Sequence, residues 1–93
     1  MVRMKRAHVI ILGRVQGVWF REETKKRALD LGLTGWVRNK QDGNVEAVFE
    51  GPENKINEII EWCKKGPSLS RVDDVKIEFE RYKGDFEDFK ITI

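Results

Sequence analysis

The sequence predicts an α+β fold of the split βαβ type, an antiparallel sheet with two helices on one face, in the order β-α-β-β-α-β plus a short last strand. Three observations lead there. Apolar residues alternate at period two in some segments and recur at helical spacing in others. Asp42-Gly43 separates two extended runs as a hairpin turn does. Each helical segment stops at a glycine, Gly32 for the first and Gly66-Pro67 for the second.

Taken in order, Ala7 to Leu12, "AHVIIL", is apolar on both alternating faces apart from His8 and rich in β-branched residues, as a central strand requires. From Phe20 onward, Phe20, Thr24, Ala28 and Leu31 share one helical face, and Gly32 followed by Leu33 supplies a left-handed cap near Leu31. "GWVRNK" and "VEAVFE" flank Asp42-Gly43, whose tolerance of positive φ predicts a two-residue hairpin with Val45, Ala47 and Phe49 on one face. Gly51-Pro52 breaks the extended run, after which Ile56, Ile59, Ile60 and Cys63 recur at helical spacing. Beyond the turn-prone "GPSLS", Val75, Ile77 and Phe79 alternate with charged residues, and Phe89, Ile91 and Ile93 alternate at the end.

Composition sets the outer limits. A chain of 93 residues forms one domain, residues 1–93, and has enough apolar content, 40 %, to bury a core beneath 37 % charged residues. The longest apolar run, Val9 to Leu12, is too short to span a membrane, and Arg14 follows too soon for a signal peptide, so a cytoplasmic protein without a membrane partner is expected. Cys63 is the single cysteine, which excludes an intrachain disulfide and a Cys/His zinc site. Net charge is +2, and the basic "RMKR" run reads as a solvated arm as readily as a contact surface, so nucleic acid is not an expected partner. Abundant Lys, Glu and Ile beside only two glutamines, Gln16 and Gln41, suggest a hot source; an unfolding midpoint near about 50 °C would count against that.

The stretch "GRVQGVWFREE", Gly13 to Glu23, joins the first strand to the first helix. Gly13 and Gly17 bracket a short turn, and glycine allows backbone twists that aim successive amides at an anion. The first amides of a helix lack intrahelical partners and carry the positive end of its dipole. Glu22 and Glu23 suit that end, whereas Arg21 does not unless an anion sits beside it. An equally simple reading makes the glycines plain turn residues and Arg21 a solvated cation.

The chain resembles the acylphosphatase family. Gly13-Arg14-Val15-Gln16-Gly17-Val18-Trp19-Phe20-Arg21 matches the first family signature, G-x-V-Q-G-V-x-[FY]-R, and Gly35-Trp36-Val37-Arg38-Asn39 with Gly43, Val45 and Gly51 matches the second. The resemblance covers the whole chain; its clearest departure is Ser70, where a small apolar residue is more usual. It implies a ferredoxin-like sandwich and hydrolysis of the carboxyl-phosphate bond of acyl phosphates to a carboxylate and inorganic phosphate. By position it assigns Arg21 and Asn39 as catalytic residues, and the backbone amides of Val15, Gln16, Gly17, Val18, Trp19 and Phe20 as the phosphate loop. It implies no metal and no cofactor, with phosphate acting as product and competitive inhibitor. A monomer is expected.

The chemistry suits those residue types. A carboxylate leaving group needs no strong acid, so positioning water and stabilising the phosphoryl charge are the main requirements. Arg21 offers a two-pronged grip on phosphate oxygens, and Asn39 an amide that orients water without acting as an effective base. His8 reads as structural or surface, Asp73-Asp74 and the "GDFED" acids as solvated turn charges, Trp36 and Trp62 as core or rim aromatics, and Cys63 as a buried hydrophobe. Trp19, inside the loop, is a candidate to border the acyl group. The alternative function is a non-catalytic phosphate-binding or regulatory module on the same fold. An RNA-binding role lacks the paired strand aromatics it needs, since Phe49 stands alone.

Overall fold

The computed structural model describes residues 2–93. Its elements are β1 (Met4–Arg14), α1 (Phe20–Asp30), β2 (Thr34–Asn39), β3 (Val45–Pro52), α2 (Glu53–Lys65), β4 (Arg71–Glu80) and β5 (Phe89–Ile91). The sheet order is β4-β1-β3-β2-β5. Ala7, Val9 and Ile11 of β1, Val37 of β2, and Val45, Ala47 and Phe49 of β3 all point to one face and are wholly buried. There they meet Phe20 and Ala28 of α1 and Ile56, Ile59 and Cys63 of α2 in one core. The ferredoxin-like α+β arrangement read from the pattern is therefore the observed one.

Local chemistry explains the element ends. Leu33 N donates to Ala28 O at 2.8 Å and Gly32 N to Leu29 O at 3.1 Å, the paired bonds that close a helix on a left-handed residue. Between β2 and β3 the loop is one residue longer than expected. Lys40 N donates to Asn44 O, Gly43 N donates to Lys40 O, and only Gly43 takes positive φ, at 94°. The two-residue hairpin required positive φ at Asp42 as well, a cost glycine avoids and aspartate does not.

Two further expectations change with tertiary context. The sheet is mixed, because β5 pairs with β2 in parallel, Gly35 opposite Phe89 and Val37 opposite Ile91. The other pairings are antiparallel. After β4 the chain crosses the open face of the sheet, where Lys83 N and Gly84 N donate to the Glu50 carboxylate. It arrives beside the start of β2 and has to run in the same direction. On β4 the alternation is as read, yet Ile77 and Phe79 remain 36 % and 50 % exposed. An edge strand has a neighbour on one side only, and the Lys5 ammonium, 4.8 Å from the Phe79 ring centre, is part of its cover.

Candidate active site

β1 and β2 both flank β3 in antiparallel fashion, so they run parallel to each other and their C-terminal ends lie at one end of the sheet. The loop from Val15 to Trp19 leaves β1 there, and Asn39 closes β2 there. Val15, Val18 and Phe20 are buried, pinning the loop to the core through its side chains. Trp19 points outward, 68 % exposed. With side chains anchored below, the backbone is what the loop presents.

Gly17 and Trp19 both adopt left-handed backbone, at φ 73° and 67°, and Trp19 is the only non-glycine residue among those described to do so. With Val18 at negative φ between them, the loop alternates handedness, the pattern that turns consecutive amides toward one point. Among the described residues, no amide from Val15 to Phe20 donates to a backbone carbonyl. Trp19 is also the N-cap of α1 and offers no side-chain cap, so the first helical amides stay available as well. The loop, Arg21 and Glu22 line a hollow of about 250 Å³.

Gly13 has a different task from the one expected of it. It lies within β1, where the register with β4 shifts, and a Cβ there would collide with the Arg71 carbonyl. Gly13 thus admits the neighbouring strand, and the turn proper begins at Val15. Arg21 sits in the first turn of α1 with no ion pair or side-chain hydrogen bond among the described residues. Asn39 Oδ1 is buried and has no hydrogen-bond partner among the described residues. An acceptor left so costs about 1–3 kcal/mol unless something outside the fold satisfies it.

Asn39 does not line the 250 Å³ hollow itself. What brings β2 and the loop together is Gln16, whose Nε2 donates to Lys40 O at 2.7 Å and Asn44 O at 2.9 Å. Those carbonyls belong to the residue after Asn39 and the one before Val45, so a single side chain ties the loop to the hairpin base. The hairpin is firm in turn, since the Asn44 amide donates to Asp42 and, despite opposing desolvation, holds that carboxyl below its usual range with help from Lys40. Sequence reading saw Gln16 only for its backbone amide. A neutral, two-donor side chain inside a loop of a charge-rich chain was the available signal.

The remaining candidates fall outside this site. His8 bonds Glu46 at 2.6 Å on the open face of the sheet, and Arg38 bonds the other oxygen of the same carboxylate at 2.6 Å. Asp73 pairs with Arg71. Trp62 packs on Phe20, with ring centres 5.3 Å apart. Burial pushes the Cys63 thiol up to about 12, which leaves it unreactive near neutral pH. No helix among the described residues is long and apolar enough to cross a membrane.

Fold and site together define a small α+β sandwich that gathers free backbone donors, an arginine and a buried amide at one end of its sheet. The acylphosphatase family profile matches residues 7–91. An acylphosphatase of Pelotomaculum thermopropionicum is 50 % identical over 87 residues, covering 94 % of this chain and 95 % of the relative. One from Pyrobaculum aerophilum is 50 % identical over 91 residues, covering 97 % and 96 %. The crystal structure of acylphosphatase from Bacillus subtilis aligns with a TM-score of 0.92 at 36 % identity, covering 98 % of this chain and 100 % of the other. The chain belongs to the acylphosphatase family, and its activity is that of an acid-anhydride hydrolase acting on acyl phosphates.

Proposed function

We propose that this chain hydrolyses acyl phosphates without a metal, holding the phosphate with Arg21 and the amides of residues 15–20 and orienting the attacking water with Asn39. The observation that carries the reading is the buried, unpartnered Asn39 Oδ1 at the same end of the sheet as a loop whose amides have no backbone acceptors. Water is the natural donor to that oxygen, and a phosphate oxygen the natural acceptor for those amides.

The chemistry follows from the groups. A water held by Asn39 attacks phosphorus as the bond from phosphorus to the acyl oxygen breaks, and the electron pair leaves with the carboxylate. The water's proton passes to a phosphate oxygen, so no side-chain base is required. Charge spreads over the equatorial oxygens, where the Arg21 fork and the loop amides are preorganised to meet it. Diffusible substrate, competitive inhibition by phosphate, a monomer and a cytoplasmic location complete the proposal. The phosphate-sensing alternative is not favoured by full-length similarity to named enzymes.

Hydrolysis of acetyl phosphate by wild type and Asn39→Ala, both in excess chelator, tests this. Wild type should turn over, and Asn39→Ala should lose about 100-fold or more in kcat while phosphate still inhibits near its normal concentration. A change confined to KM would make Asn39 a binding residue. Activity that vanishes with chelator and returns with one divalent ion would remove the metal-free mechanism.

A further inference from the structure

Beside the phosphate loop lies a second and larger hollow, about 650 Å³, between the start of α1 and the loop that follows α2. Trp19 lines both hollows and forms the wall between them. Leu69, in the loop after α2, lines the same groove and is as exposed as Trp19, at 68 %. Trp62 forms part of the lining, held in place by Phe20 on one side and by the Arg27 guanidinium 4.8 Å from its ring. Trp19, Leu69 and Trp62 thus gather apolar surface in one groove whose remaining lining includes the charged Glu23, Arg27 and Lys65.

The geometry points to this groove as the seat of the substrate's acyl group, with Leu69 and Trp62 as specificity-determining residues that favour acyl groups of aromatic size. The inference rests on the acyl-phosphate reading of the neighbouring loop. A phosphate held by that loop has its bridging oxygen directed away from the amides, and the acyl carbon attached to it needs space next to Trp19. The 650 Å³ groove is lined on that side by Trp19 and by its loop neighbour Val18. An acetyl group offers the groove a single methyl, whereas a benzoyl ring removes far more apolar surface of both partners from water.

The test compares acetyl phosphate and benzoyl phosphate as substrates for wild type and Leu69→Ser. Leu69 is exposed and has no part in the core, so the variant should fold, and an unchanged inhibition constant for inorganic phosphate verifies an intact loop. The proposal expects kcat/KM for benzoyl phosphate to fall about tenfold, through KM, while acetyl phosphate changes less than about twofold. Equal losses on both substrates, or none on benzoyl phosphate, would overturn it. Failure of wild type to hydrolyse either substrate would instead sink the acyl-phosphate reading, and the acyl subsite with it.

Discussion

Arg6 and Arg21 show what separates the two ends of this molecule's polar chemistry. Arg6, on the open face of the sheet, contacts Glu50 at 3.3 Å, Glu80 at 3.0 Å and Asp85 at 3.5 Å, and lies over the Phe86 ring. Arg21, at the entrance to α1, contacts no carboxylate among the described residues. The same division holds for buried oxygens. Glu50, 1 % exposed, receives Arg6 and the amides of Lys83 and Gly84, while Asn39 Oδ1 receives nothing from the described residues. On the open face the fold satisfies its own polar groups. At the loop it leaves them without partners among the described residues.

The sharpest way to break this contrast is Arg21→Ala. It should lower kcat/KM by about 1,000-fold or more and remove inhibition by phosphate, with little change in unfolding midpoint, because no structural contact is lost. Arg21→Lys should recover only a small part, since an ammonium cannot reproduce a bidentate grip. Phosphate inhibition undiminished in Arg21→Ala would show that the arginine is not the anion's partner. The converse substitution, Glu50→Gln, should leave kcat per folded molecule intact and cost roughly 2–4 kcal/mol in denaturant unfolding, because Arg6 loses a buried partner and the crossover loses an anchor. Comparable stability in Glu50→Gln and wild type would mean the crossover is held by its neighbours instead.

A smaller effect sharpens the same comparison through pH. Burial raises the Glu46 carboxyl, but hydrogen bonds and charge from His8 and Arg38 outweigh it and hold the group below the ordinary glutamate range. A folded-state value below the unfolded one gives stability that is complete above the unfolded value and is lost as pH falls through the folded one. The acid limb of the wild-type stability profile should therefore flatten in Glu46→Gln, measured by urea unfolding between about pH 6 and pH 3. Superimposable acid limbs would remove Glu46 from the account.

Periodic features were legible in the sequence, and features depending on distant neighbours were not. The helical faces of Phe20, Thr24 and Ala28 and of Ile56, Ile59 and Cys63 are buried as spaced, because a 3.6-residue repeat is a local property. Gly13 was read as a turn residue because β4, the strand it admits, lies nearly sixty residues further on. The direction of β5 was missed because three residues carry no pairing signal, and its course depends on the crossover that Glu50 holds. At the site, two residue signatures pointed to the loop, Arg21 and Asn39, whereas the clamp by Gln16 and the isolation of Asn39 Oδ1 are consequences of packing.

The placement of β1 between β3 and β4 also bears on how fast the chain finds its fold. Arg6 and Glu80, facing partners in the sheet, are 74 positions apart in a chain of 93, so the first strand has to wait for nearly the last one to be paired on that side. Closing so long a loop costs chain entropy before any contact compensates for it. Pairing of this kind should make the chain fold more slowly than a helical bundle of the same length, a difference set by topology rather than size.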